Sequence, residues 1–184
     1  MLGLMQSQQL LISSLIEFAE RHHGEAEVVS RRVEGDIHRY TYKEVAARAR
    51  QVANALEEMD LAFSDRVATL AWNGYRHLEL YFGVSGTGRV LHTLNPRLHP
   101  DQIVWIANHA EDQVLCFDMT FLPIVKAVHS RCTTIKHFIA LCDADAQAVA
   151  ATGDAFGIQP RYTDAHAMLA NEAIDVLYSI VPAY

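Results

Sequence analysis

The chain has 184 residues, 51% of them hydrophobic and 20% charged, with a formal net charge of -7. That is enough for one ordinary domain with a real core and too apolar for a disordered chain. The acidic balance argues against a nucleic-acid-binding module, whose affinity comes from Lys and Arg clustered on phosphates; the densest basic residues, Arg31, Arg32 and Arg39, then Arg48 and Arg50, are interleaved with acidic ones and read as a solvated face.

Met1 to Ile16 is apolar in part but has no basic segment ahead of it, so it does not read as a signal peptide. No run approaches the roughly 18 apolar residues needed to span a bilayer. "SQQLLISSLIEFAERHHG" puts Leu11, Leu15, Phe18 and Ala19 on one helical face, with Gly24 as a stop. This predicts either a helix docked on its own domain or an arm that binds a partner. "EVVSRRVEGDIHRYTY" then alternates across a turn at Glu34-Gly35-Asp36, a hairpin signal. Thr41 and Glu44, three apart in "TYKE", form a capping box at the start of a helix. Val45, Ala49, Val52, Leu56 and Met59 give that helix one buried face, and Glu44 and Arg48 are placed for an i,i+4 ion pair.

Apolar strand segments then begin near Val67, Val90, Val114 and Phe138, at spacings of 23, 24 and 24. Helix patterns fill the intervals at Tyr75 to Ser85, Asp101 to Ala110 and Leu122 to Ser130. Strand and helix alternating at this interval predict an α/β fold: a parallel sheet with helices on both faces. Pro100 suits a first helical position and Asp101 the positive first turn, while Asn95-Pro96 turns the chain out of the strand. From Asp143 to Asn171 the pattern weakens, and "IDVLYSIVPAY" returns to β-prone residues, a strand over Val176 to Val181. The expected organisation is an arm over 1–24, an α/β core over 25–142, a variable excursion over 143–173 and a final strand over 174–184.

Few residues suggest chemistry. "GVSGTG" (Gly83 to Gly88) follows a helix and precedes a strand, the reverse of a nucleotide-binding loop, and reads as a helix stop packed tightly on the next strand. His22 and His23 are adjacent and cannot easily face one ion; His92 and His99 flank a turn without a carboxylate or cysteine at ligand spacing. Cys132, His137 and Cys142 lack a fourth partner for zinc. His92, inside a strand, is expected to be hydrogen-bonded in the core or an interface. Three cysteines, Cys116, Cys132 and Cys142, without a framework spacing suit a reducing, cytoplasmic compartment. No nucleophile-base set, paired carboxylates or Walker loop can be assigned.

"RVLHTLNPRLHPDQIVWIANHAED" nevertheless closely resembles the second core region of the adenylate-forming acyl-CoA synthetases, most like the medium- and long-chain fatty-acid–CoA ligases. "YTYKEVAARARQVANAL", "DRVATLAWNGYRHLELYFGVSGTGRV" and "IKHFIAL" resemble further blocks of that family in its order, so the match runs from about Val28 to Leu141. The resemblance implies the N-terminal subdomain of a ligase that joins a fatty acid to AMP, using ATP and Mg²⁺, and then to CoA. It implies no catalytic, cofactor-binding or metal residue here, because the family's phosphate loop, Tyr-Gly-x-Thr-Glu motif, ribose-binding Asp and C-terminal lysine lie on later motifs. Asn95 and Pro96 stand in the family's Asn-Pro turn, a structural place. Tyr184 aligns with the tyrosine that opens the phosphate loop and is expected at the edge of the nucleotide site. The resemblance also implies a homodimer, with Leu11, Leu15 and Phe18 at the interface. Two alternatives stay open: an α/β binding or regulatory domain that keeps the scaffold without the chemistry, and a dimerisation module.

Overall fold

The alternation of apolar residues with turn residues resolves into six strands and five helices in a computed structural model, which describes residues 9–33 and 35–141. An N-terminal helix α1 (Ile12–His23) leads into an antiparallel hairpin of β1 (Glu27–Arg31) and β2 (Ile37–Thr41), with Val29 opposite Arg39. Gly35 takes a positive φ of 103° in the turn, which a side chain would resist. Arg32 clamps Asp36 there through Nε to Oδ1 at 2.7 Å.

Helix α2 (Tyr42–Glu57) starts on the expected capping box: the Thr41 hydroxyl accepts from the Glu44 amide, and the Glu44 carboxylate accepts from the Thr41 amide at 2.7 Å. Val45, Ala49, Val52 and Leu56 are buried, as the spacing predicts. The expected Glu44–Arg48 pair does not form. Glu44 is committed to the cap, and Arg48 turns inward to a buried carboxylate, Glu79, on another helix. Arg48 is thus not on a solvated face.

The rest of the described chain alternates strictly: β3 (Arg66–Leu70), α3 (Tyr75–Gly86), β4 (Val90–Thr93), α4 (Pro100–Ala110), β5 (Asp112–Asp118), α5 (Leu122–Val128) and β6 (His137–Leu141). The four strands form one parallel sheet in the order β4-β3-β5-β6. Successive side chains of a strand point to opposite faces, and both faces are covered. Val67, Val114, Cys116, Ile139 and Leu141 pack under α2 and α3. Ala68, Leu70, Leu115, Phe117, Phe138 and Ala140 pack under α4 and α5. Strands buried on two sides carry the continuous apolar runs seen in the sequence.

Helix α4 opens as expected with Pro100 in its first turn and Asp101 behind it; its N-cap is His99, whose Nδ1 accepts from the Asp101 amide at 3.3 Å. Helix α5 ends at Val128, shorter than its pattern, in a 3₁₀ turn over His129–Arg131. Gly83 lies where α3 crosses α2, and a Cβ there would sit 2.7 Å from Val52. The glycine-rich stretch is therefore a close helix contact followed by a helix stop. Helix α1 docks through Ile16, its one buried residue, and leaves Leu11, Leu15 and Phe18 at 53%, 63% and 57% exposure. The strand over Val176 to Val181, Cys142 and Tyr184 lie outside the described residues.

Candidate functional site

Parallel strands end together, so their outgoing loops gather at one edge of the sheet, where open α/β folds place ligands. At that edge a cleft of about 780 Å³ opens. Its floor is the end of β3 (Thr69, Ala71) and the loop to α3 (Trp72, Asn73, Gly74); one wall is Val28–Arg31 of β1, and the other is the turn after β4, Asn95 to Arg97. Trp72 and Tyr81 give it aromatic surface, while Arg31 and Arg97 give it positive charge.

Each part of the rim is held by a specific hydrogen bond. The sheet order reverses between β3 and β5, since β4 and β5 lie on opposite sides of β3. Trp72 bridges this point: its amide donates to Asp118 Oδ2 at the end of β5 at 2.7 Å, and its indole Nε1 donates to Thr120 Oγ1 at 3.0 Å. On the far wall, the Asn95 side chain accepts from the Arg97 amide at 3.0 Å, so Asn95-Pro96 makes the turn its residues predict. Helix α3 has no side-chain cap of its own at Gly74; the Ser30 hydroxyl of β1 accepts from the Tyr75 amide at 3.0 Å and caps it from the hairpin. The hairpin also lays His38 flat on the Tyr75 ring, centroids 4.0 Å apart, with Tyr40 edge-on to the same ring.

Behind this wall lies a buried polar junction. Arg48 Nε donates to Glu79 Oε1 at 2.5 Å and Nη2 to Oε2 at 3.1 Å, and the Glu79 side chain has no exposure. Burial pushes the Glu79 carboxyl above the ordinary carboxylate range, and Arg48 opposes that rise. Burial, then the negative charge of Glu79, pushes the Tyr40 phenol up as well. In the cleft itself, His77 Nε2 meets Thr69 Oγ1 at 3.0 Å. Burial holds the His77 pKa below the ordinary histidine value.

The histidines singled out in the sequence have other places. His92 Nδ1 lies 2.9 and 3.0 Å from the two oxygens of Asp112, a fully buried carboxylate at the amino end of β5, so His92 is the hydrogen-bonded histidine expected. Burial pushes the Asp112 carboxyl up, while the His92 hydrogen bond lowers it. His99 caps α4. Among the described residues no group of three His, Cys, Asp or Glu is placed to hold a metal ion, and no helix is long and apolar enough to cross a membrane. Cys116 and Cys132 are buried thiols, with Cys116 pushed up to about 12 by burial. Leu11, at the N-cap of α1, and Leu15 and Phe18 on the helix stand apart from the cleft lining. Sequence reasoning missed Ser30, Thr69, Trp72 and His77. For Trp72 and His77 the available signal was polar and aromatic residues clustered just past the end of β3; Ser30 and Thr69 lie inside strands and carried none.

The model of the family described as AMP-binding enzyme matches residues 15–171. The 3-methylmercaptopropionyl-CoA ligase of Ruegeria lacuscaerulensis is 52% identical over 139 residues, covering 76% of this chain and 26% of that protein. The medium-chain-fatty-acid–CoA ligase of Ectopseudomonas oleovorans is 49% identical over 150 residues, covering 82% and 28%. The crystal structure of the N-terminal domain of FACL13 from Mycobacterium tuberculosis has the same fold, with a TM-score of 0.61 at 19% identity, over 91% of this chain and 39% of that one. The chain spans little more than a quarter of the length of these two curated relatives.

Proposed function

The chain belongs to the AMP-binding enzymes, and on that premise we propose that it is the N-terminal part of a fatty-acid–CoA ligase. The observation that carries this reading is the 49% identity to a medium-chain-fatty-acid–CoA ligase over 82% of the chain. The complete enzyme would take a fatty acid, ATP, Mg²⁺ and CoA, and release an acyl-CoA. The segment supplies the parallel sheet and the cleft at its carboxyl edge, which we take as its share of a ligand site. On this reading the groups that hold triphosphate and metal belong to the part of the relatives that the chain does not span. Tyr184 is proposed to stand where the phosphate loop begins.

Two finer statements belong to the same proposal. The cytoplasm is the compartment, supported by two buried free thiols. The assembly is a homodimer, supported by the exposed apolar residues Leu11, Leu15 and Phe18 at the N-cap and on α1. Light scattering should give the mass of two copies, and Leu15→Asp should halve it. A monomer before the substitution, or an unchanged dimer after it, would count against this interface.

A chimera tests the activity. This chain replaces the matching segment of the Ectopseudomonas ligase. The chimera should form medium-chain acyl-CoA within about tenfold of the parent rate, while the 184-residue chain alone gives no fatty-acid-dependent exchange of pyrophosphate into ATP. A folded but inactive chimera, or exchange by the chain alone, would overturn the reading.

A further inference from the structure

Asn73 is followed by Gly74 in the loop between β3 and α3, on the floor of the cleft. An asparagine can react with its own backbone. The amide nitrogen of the next residue attacks the side-chain carbonyl carbon, a five-membered imide closes, and ammonia leaves. The next residue must carry an N–H, its side chain must not block the approach, and the backbone must not be locked in a helix.

The described asparagines differ on these conditions. Asn95 precedes Pro96, which has no N–H. Asn54 lies within α2 and Asn108 within α4, where the following amide is directed four residues back along the helix. Asn108 is also held at both ends: its Nδ2 donates to the Arg131 carbonyl and its Oδ1 accepts from the Thr133 amide, each at 2.9 Å. Among the described residues Asn73 alone meets every condition. Gly74 has an amide and no Cβ. Asn73 is exposed, outside any helix, and its side chain makes no hydrogen bond among the described residues. One contact opposes the attack: the Gly74 amide donates to the Trp72 carbonyl at 2.8 Å, a bond across a single residue that has to open first.

The surroundings favour the charges that the reaction makes. Arg31 and Arg97 line the same cleft, and among the described residues no carboxylate does. The attack builds negative charge on the side-chain oxygen, and positive groups stabilise an oxyanion. The product carboxylate falls at the amino end of α3, where a helix favours negative charge.

We propose that Asn73 is a self-modification site: in the folded chain it closes an imide with Gly74 and becomes aspartate or isoaspartate. The Gly74 nitrogen gives its proton to water and bonds to Asn73 Cγ; the Cγ–Nδ2 bond breaks, and Nδ2 leaves as ammonia. Water then opens the ring. Cleavage between the nitrogen and Cγ gives aspartate; cleavage between the nitrogen and the backbone carbonyl carbon gives isoaspartate. The sum is asparagine plus water to either acid plus ammonia, with nothing oxidised or reduced. Both products place a negative charge on a floor whose two walls carry Arg31 and Arg97. Isoaspartate also routes the main chain through Cβ and Cγ, which lengthens the link between Trp72 and the start of α3 that Ser30 caps.

The test holds the 184-residue chain at physiological temperature and mildly alkaline pH. Folded protein is recovered by size exclusion at intervals and digested with trypsin, beside an unaged sample. Peptide 67–76 carries Asn73 as its sole asparagine. It should gain one mass unit and divide into two chromatographic forms, one of which accepts a methyl group from an isoaspartate-specific methyltransferase. The peptides with Asn54 and Asn108 should stay unchanged over the same interval. Gly74→Ala should lose most of the conversion. A Cβ there meets only Ser30 Oγ, at 3.7 Å, an ordinary contact that leaves the fold intact. No mass gain in the folded fraction, an equal gain in the Asn54 and Asn108 peptides, or undiminished conversion in Gly74→Ala would each overturn the proposal. Should Gly74→Ala fail to fold, the parent's peptide map decides: a gain confined to peptide 67–76 with the methyl-accepting form supports the site, and any other pattern removes it.

Discussion

The two faces of the parallel sheet and the junction under the hairpin are both buried, and they are built from opposite materials. The sheet faces are filled by Val, Leu, Ile and Phe, with Phe117 and Leu70 wholly covered. The junction is filled by Arg48, Glu79, Tyr40, Tyr75 and His38. Apolar contact is non-directional, so the sheet sandwich gains stability from area alone. The junction gains less net stability, because desolvating charges offsets their attraction. It instead requires one pose, since each donor must find its acceptor. The pose it fixes is that of the hairpin wall over the cleft.

That contrast breaks most sharply in a pair of substitutions. Phe117→Ala should cost about 3–5 kcal/mol in urea unfolding. Glu79→Ala should cost a similar amount, about 3–5 kcal/mol, by stranding Arg48. The difference lies in rescue: Glu79→Met combined with Arg48→Met should recover most of the loss. A double variant as unstable as Glu79→Ala alone would show that the junction stabilises the fold as the core does. A smaller effect sharpens the comparison. Ser30→Ala removes the cap that the hairpin gives α3 and should cost about 1 kcal/mol. Amide exchange should then quicken in β1 and β2 while β3 and β5 stay protected. Equal acceleration in the sheet would mean that hairpin and sheet open as one unit.

The same contrast explains what could be read from the sequence. All four parallel strands and the four helices that cover them follow from period and spacing, because each is buried on a regular face. Thr41–Glu44, Pro100 and Asn95-Pro96 are local chemistry and mark their elements correctly. The junction and the cleft rim depend on pairs with no period: Arg48 with Glu79, 31 residues apart; Ser30 with Tyr75, 45 apart; Trp72 with Asp118, 46 apart. A local spacing rule paired Arg48 with Glu44, since it cannot see a carboxylate on the next helix. Periodicity also chose the most apolar stripe of α1, whereas the helix docks on its neighbours through Ile16. Glu111 ends α4 with a φ of 55°, a left-handed stop that no glycine announces.

The place of β3 in the sheet has a consequence for the order of events in folding. It is the first parallel strand in the chain, yet both its neighbours come later, β4 from Val90 and β5 only from Asp112. Closing the shorter loop costs less chain entropy. The β3–α3–β4 unit is therefore the natural first nucleus, and the other edge of β3 stays open until α4 has carried the chain back across the sheet. During that interval a bare, apolar strand edge is available to other molecules. Refolding yield should consequently fall with protein concentration, and the loss should be set while β5 is still arriving.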